Sequence, residues 1–327
     1  RDSRTEIAFL EVARGGILRR GIPIDSVDAA LITNVASDHL GQYGINTVEE
    51  LAETKFVVAK GLDQQGILVL NADNELVIAQ GLKLDKSICW YSTDESNVLI
   101  QSQISCGGAA VFIRNHHIIY VSGYKEENIA SLEQVPMTLN GAAQHNVQNA
   151  LGVVGLSKAL KLPTQAIRIG LMDFGSNAED NPGRGNIYEI NGIKVLVDFA
   201  HNEHSMRAVV NTINQLPAKR KIAMFSHAGD RSDDEIRSLT AAVTELHASL
   251  YIVTELERYL RGRQIGDVPQ IVGDYLYRQS ISSEIICYAA DPLKGAKIAM
   301  DFAQPGDVVL LFVLADREQV HQYLVGQ

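Results

Sequence analysis

Short apolar runs that do not alternate with polar residues recur along this sequence, and stretches of helical character separate most of them. They fall at Ile7–Val12, Ala29–Val35 and Ile67–Leu70, then at Lys221–Phe225, Ser249–Thr254, Glu284–Cys287 and Val308–Val313. A strand with one wet face alternates, whereas a strand buried on both faces does not. These runs therefore predict parallel sheets covered by crossover helices, an α/β fold class. At 327 residues the chain is too long for one ordinary domain and suits two.

Local signals subdivide the pattern. Thr47-Val48-Glu49-Glu50 is a capping-box sequence and predicts a helix running to about Lys60. Residues 87–122 change character. Two β-rich runs flank Asn115-His116, which predicts a small antiparallel insert. A long helix is expected from about Ala142 to Leu160, and a shorter one after Pro163. Asn181-Pro182-Gly183-Arg184-Gly185 interrupts both helix and strand and is the expected joint, giving domains over 1–182 and 183–327. Asn191-Gly192 then marks a hairpin turn, and strand–helix alternation resumes as a Rossmann-like unit.

A net charge of −10 argues against nucleic acid or an anionic membrane as partner, since both need clustered Lys and Arg. The three cysteines match neither a disulfide framework nor a zinc site, so a reducing cytoplasm is the expected location. Residue 1 is Arg and the first Met is Met137, so the sequence is expected to be part of a longer protein.

Ligands of open parallel sheets bind beyond the carboxyl ends of strands. Glu11 and Asn34 stand at such ends, and Ser37-Asp38-His39 follows the second. Alone, Glu11 is a solvated strand end and His39 a loop residue; together they suit Mg²⁺ holding a phosphate. Lys55 opens an apolar run and by itself reads as a snorkelling surface lysine. His145 and Asn149 share one face of the long helix with Asn146 beside them. That is an ordinary polar face, or an amide surface able to read a base edge. Arg184 and Asp198 are candidates for phosphate and ribose contacts. Asp233, Asp234 and Glu235 complement a helix dipole and read as structural. Arg231, Arg258, Arg261 and Arg263 are candidates for a carboxylate substrate.

The ordered set Glu11–Gly16, Thr33–Leu40, Lys55, Asn71-Ala72-Asp73, His145-Asn146-x-x-Asn149, Asn181–Arg184 and Asp198–Asn202 resembles the central and C-terminal domains of the Mur ligase family. Within it, residues 13–19, 229–237 and 260–263 are most similar to the cyanophycin synthetase group. The resemblance implies that ATP activates a carboxylate to an acyl phosphate, which an amine then attacks. It implies that Glu11 and His39 hold Mg²⁺ and that Lys55 is carbamylated. His145, Asn146 and Asn149 would line the adenine, while Arg184 and Asp198 would grip ATP from the C-terminal domain and close the cleft. His201, Arg231 and Arg261 would meet substrate.

The family's phosphate-cradling loop carries a Gly-Lys-Ser/Thr element, and this sequence has no Gly-Lys dipeptide. That loop is expected upstream of Glu11, with an ATP-grasp or other N-terminal domain as partner, and the span 1–327 alone is expected to be inactive. After the motif's His201 the sequence reads Asn-Glu-His in place of the usual Asn-Pro. The implied reaction joins an amino acid such as arginine to an aspartate-containing peptide or polymer. The alternatives are a cell-wall ligase acting on a UDP-linked peptide and a catalytically silent scaffold. A homo-oligomer stays open.

Overall fold

The computed structural model describes residues 4–22, 24–37, 40–175, 178 and 180–327. Two compact units divide the chain, Arg1–Leu132 with Asn146–Leu171, and Glu133–His145 with Met172–Gln327. No helix among the described residues is long and apolar enough to cross a membrane.

The first unit opens with α1 (Arg14–Arg20). It then alternates β1 (Val27–Ile32), α2 (Val48–Lys55), β2 (Leu62–Asn71), α3 (Glu75–Gly81), β3 (Ser87–Ser92), α4 (Val98–Cys106) and β4 (Ala109–Arg114). The strands β5 (His117–Ser122) and β6 (Lys125–Ser131) follow, then the helices α5 (Gln144–Ala159) and α6 (Thr164–Asp173). Sheet order is β1-β2-β3-β4-β5-β6, with the first four strands parallel and the last two added antiparallel.

Both faces of the parallel part are covered, as the unbroken apolar runs require. Leu51, Ala52, Phe56, Val77 and Ile100 pack with Leu68, Leu70, Trp90 and Phe112 on one face. On the other, α5 lies close enough that a Cβ at Gly152 would sit 3.1 Å from Leu31 Cδ1, and one at Gly155 2.7 Å from Val69 Cγ1.

Three expectations change. Residues 7–13 form no strand and expose Ile7, Phe9, Leu10 and Val12, so Glu11 is not at a strand end. An apolar run becomes a strand only where a neighbour completes its backbone hydrogen bonds, and none does so here among the described residues. Residues 87–122 are not a separate insert: β3 and β4 continue the parallel sheet, and only the hairpin closed by Asn115-His116 is antiparallel. The helix capped by Thr47 ends at Lys55, and Phe56–Gly61 tightens into a 3₁₀ turn.

The second unit begins with β7 (Asn186–Ile190) and β8 (Ile193–Asp198), a hairpin turned by Asn191 at φ 50 and Gly192 at φ 77. Positive φ at both turn positions is what Asn-Gly supplies. There follow α7 (Glu203–Gln215), β9 (Lys221–Phe225), α8 (Asp233–Thr244), β10 (Leu250–Thr254) and α9 (Asp267–Arg278). The remaining elements are β11 (Ile286–Ala289), α10 (Pro292–Phe302), β12 (Val308–Phe312) and α11 (Arg317–Val325).

Sheet order is β11-β10-β9-β12-β8-β7, so β12 returns to lie between β8 and β9. Residues of α7, α8 and α9 build one core layer, and residues of α10 and α11 the other. Strand order therefore switches direction around β12, and the crevice past β8, β12 and β9 is the expected ligand position. The acids opening α8 are structural, as expected. Glu235 completes a capping box with Ser232, Asp233 pairs with Arg237 and Arg263, and Asp234 pairs with Arg237.

The close seat of α5 yields a stability prediction. Gly155→Val should cost about 1–3 kcal/mol by overpacking against Val69. Gly170→Ala, on α6 with nothing within 4 Å of the added Cβ, should gain about 0.5–1 kcal/mol. Thermal denaturation checks both signs; an unchanged melting temperature for Gly155→Val would contradict the packing.

Candidate functional site

In the first unit the carboxyl edge is stitched together by amides. Asn34 follows β1, and its carbonyl accepts from Lys55 Nζ at 3.0 Å. Asn71, the fully buried last residue of β2, donates from Nδ2 to Asn34 Oδ1 at 2.9 Å and accepts from the Asp73 N–H at 2.8 Å. Asp73 in turn accepts from Ser92, from the Thr93 N–H and hydroxyl, and from Gln148. Its oxygens are committed to the protein, so Asn71-Ala72-Asp73 orders the edge on which Lys55 stands.

The metal expectation rests on Glu11 and His39. Asp38 and His39 lie outside the described residues. Among the described residues no group of three or more His, Cys, Asp or Glu side chains is placed to hold a metal. Glu11 is exposed, and its carboxylate is left uncommitted among those residues. Such an oxygen suits a hard cation as one ligand among several.

His145, the second residue of α5, is half-buried. Burial, then the neighbouring His204, pushes its pKa down to about 4, so the ring is neutral at pH 7. Its Nδ1 is buried and has no hydrogen-bond partner among the described residues. A neutral ring with an open polar atom can bond an uncharged heterocycle. Asn146 and Asn149 stand one turn apart and touch, Nδ2 of Asn149 donating to Asn146 Oδ1 at 3.4 Å.

The second unit gathers its candidates past β8, β9 and β12. Asp198 ends β8 and is buried, with Oδ1 accepting from the Ala200 N–H at 2.6 Å. Burial pushes its pKa up to about 6, against the opposing pull of backbone N–H groups and the Arg184 guanidinium. The next residue, Phe199, carries Arg184 at 5.0 Å and Arg317 at 4.9 Å from its ring centroid. His201 follows: Nδ1 bonds the Phe199 carbonyl at 3.1 Å, and its own carbonyl accepts from Arg231 at 3.1 Å.

Two loops are zipped together beyond β9 and β10. Gly229 donates to the Tyr259 carbonyl at 2.8 Å, and Arg263 reaches back to the carbonyls of Gly229 and Arg231. Arg261 pairs with Asp230 and lies 5.1 Å over Tyr259. Of the four arginines considered for a carboxylate, Arg263 is thus spent on structure. Arg231 and Arg261 are held in place, and Arg258 is largely exposed, 3.8 Å from Asp316.

The sequence reading passed over Arg317, Ser226 and Thr254. Ser226 follows β9 and Thr254 ends the neighbouring β10, both buried, their hydroxyls without partners among the described residues. His227 beside them is buried, and that burial, followed by the charge of Arg231, pushes its pKa down to about 3.

A pH prediction follows from Asp198. Its folded pKa, about 6, lies above the ordinary carboxylate value of 3.8. The folded state therefore binds the extra proton, and stability falls as pH rises from about 4 through 6. Asp198→Asn should lack this loss and gain on wild type by up to about 3 kcal/mol between pH 4 and 7.5. Denaturation at the two pH values measures it; a pH-independent difference would mean that Asp198 ionises as freely in the fold as in water.

Comparison with known proteins gives this arrangement a context. Residues 1–157 match the Mur ligase middle domain, and residues 183–312 the Mur ligase, glutamate ligase domain. The chain is 32% identical over 271 residues to a cyanophycin synthetase of Nostoc sp. (strain PCC 7120), covering 83% of this chain and 30% of that protein. It is 30% identical over 314 residues to the cyanophycin synthetase of Crocosphaera subtropica, covering 95% and 35%. The chain thus spans about a third of the length of these relatives. A UDP-N-acetylmuramate–L-alanine ligase of Clostridium novyi is 25% identical over 69% of this chain and 46% of its own. Among solved structures, the bifunctional folylpolyglutamate synthase/dihydrofolate synthase of Yersinia pestis, complexed with AMPPNP and Mn ion, gives a TM-score of 0.61 at 19% identity. It covers 91% of this chain and 61% of that one. MurF of Acinetobacter baumannii gives 0.61 at 17% identity, over 91% and 59%. The structural likenesses establish a common fold.

Proposed function

The chain belongs to the Mur ligase family, with that family's parallel-sheet central fold and Rossmann-like C-terminal fold as its two units, and we propose that it serves an ATP-dependent amide ligase of the cyanophycin synthetase kind. The observation that carries this reading is similarity to a cyanophycin synthetase running over 95% of the chain.

In the proposed reaction an acceptor carboxylate attacks the γ-phosphorus of ATP, the bond to the bridging oxygen breaks, and ADP leaves. The acyl phosphate then takes an amine at its carbonyl carbon, and inorganic phosphate and a proton depart as the amide forms. The amine comes from an amino acid such as arginine, and the acceptor is an aspartate-containing peptide or polymer. An upstream ATP-grasp half is the proposed partner.

Roles follow residue by residue. Glu11 and His39 are assigned to Mg²⁺, which when bound supplies positive charge against phosphate oxygens. Lys55 is assigned as the carbamylated lysine; the Asn34 carbonyl 3.0 Å from its Nζ fixes where that nitrogen stands. His145, Asn146 and Asn149 are assigned to adenine, a role that suits a neutral imidazole with an open Nδ1. Arg184 and Asp198 are assigned to the nucleotide from the second unit, and His201, Arg231 and Arg261 to the substrate.

The test is ADP release by the full-length protein, required to depend on both arginine and an aspartate-containing acceptor. Lys55→Ala should lower it by at least about 100-fold, a loss typical of removing one fixed charge-stabilising group, and bicarbonate should not restore it. Near-normal turnover by the variant would remove Lys55 from the mechanism. Turnover with a UDP-muramoyl acceptor in place of the aspartate one would favour the cell-wall reading, which the Clostridium relative supports at lower identity.

A further inference from the structure

Arg317 emerges only when the second unit is folded. It opens α11 directly after Asp316, whose φ of 55 turns the chain at the end of β12. β12 lies beside β8 with Phe312 opposite Asp198, and the Val313 N–H donates to the Asp198 carbonyl at 2.8 Å. The residue after β8 and the first residue of α11 therefore share one edge of the sheet, at the switch in strand order.

Phe199 is the meeting point. Arg184 lies 5.0 Å and Arg317 4.9 Å from the centroid of this one ring. Each arginine is set by a separate device. Arg184 sits in a turn stapled by Asn186, which takes the Gly183 N–H on Oδ1 and donates from Nδ2 to the Asn181 carbonyl. Arg317 runs along Gly183, where a Cβ would lie 3.0 Å from its Cδ and where φ is 73. Gly183 thus makes the turn and leaves the space that Arg317 fills.

Two guanidinium groups on one ring repel each other, and here neither forms an ion pair among the described residues. The comparison within the unit is direct: Arg207, Arg220, Arg237 and Arg263 each pair with a carboxylate. Asp198 feels the charge of Arg184, yet it forms no ion pair with either guanidinium among the described residues, and one carboxylate would leave one of the two cations unbalanced. Two arginines gathered on one ring without an ion pair among the described residues, at a strand-order switch, offer guanidinium groups to an oxyanion.

We propose that Arg317 is a second anion-binding residue, held with Arg184 against Phe199 so that both guanidinium groups bear on one phosphate group. Phe199 is a positioning residue that sets their spacing. The inference deepens the ligase reading, since the phosphate it names is the nucleotide's or that of the acyl phosphate formed from it.

The test uses the full-length protein with two probes, ATP with Mg²⁺ and inorganic tripolyphosphate, titrated by calorimetry. Arg317→Ala should weaken tripolyphosphate at least tenfold, and Arg317→Lys should recover only part of this, because an ammonium neither forks nor stacks. Arg278→Ala removes another arginine of the same unit that forms no ion pair among the described residues, and should change neither probe by more than twofold. Phe199→Leu keeps the bulk but not the ring; it should raise the KM for ATP more than it lowers kcat. Unchanged melting temperatures confirm that the variants fold, and Arg317→Gln serves if Arg317→Ala does not. A tripolyphosphate affinity within twofold of wild type in Arg317→Ala would overturn the proposal, whatever the protein does with ATP. Wild-type protein that binds tripolyphosphate but shows no ATP turnover would overturn the ligase reading and leave the anion seat standing.

Discussion

In both units the strands of the parallel core hydrogen-bond to one another while helices cover both faces, and everything else is arranged around that burial. The interiors of β8, β9, β10 and β12 are almost wholly apolar, and polar side chains collect where the strands stop. Asp198, Ser226, His227, Thr254 and Glu255 stand at these ends, buried but at the margin of the apolar layer. The same constraint orders the first unit, where Asn34, Asn71, Asp73 and Ser92 bond to one another past β1, β2 and β3. A polar group removed from water needs such partners, since an unmet one costs about 1–3 kcal/mol.

Burial also sets the charge states available for chemistry. His145 and His227 are pushed down and stay neutral, while Asp198 is pushed up into the range near neutrality. Near the second unit's strand ends the positive charge comes from arginines, which do not lose it when buried. Most of those in the second unit are tied to carboxylates, which fixes loops such as 228–232 and 255–266 against each other. Arg184 and Arg317 are held by an aromatic ring instead, which positions a guanidinium without neutralising it.

Features governed by neighbours in sequence were legible from it. The capping box at Thr47, the acids that open α8 and the turns at Asn115-His116 and Asn191-Gly192 stand where their local chemistry puts them. Of the second unit's strands, β9, β10 and β12 were legible because burial on both faces leaves an unbroken apolar mark, whereas the run Glu284–Cys287 begins in a 3₁₀ turn and the half-exposed β11 covers Ile286–Ala289 instead. Features that depend on distant partners were not. Ile7–Val12 has the composition of a strand, but composition does not supply the neighbour that a ladder needs. Ser87–Ser92 was hidden beside a conspicuous hairpin, and only its pairing with β2 identifies it as core. Arg317 carries no local signal at all; it acquires meaning 118 positions from Phe199, when β12 comes to lie beside β8.

The central claim is that ATP activates a carboxylate by phosphorylating it. Turnover of full-length protein with an acceptor whose carboxylates carry ¹⁸O tests this most directly, with the released phosphate analysed by mass spectrometry. An acyl phosphate retains one carboxylate oxygen on phosphorus when the amine displaces it, so the account predicts one labelled oxygen in each inorganic phosphate. Unlabelled phosphate, or label in AMP instead, would contradict it.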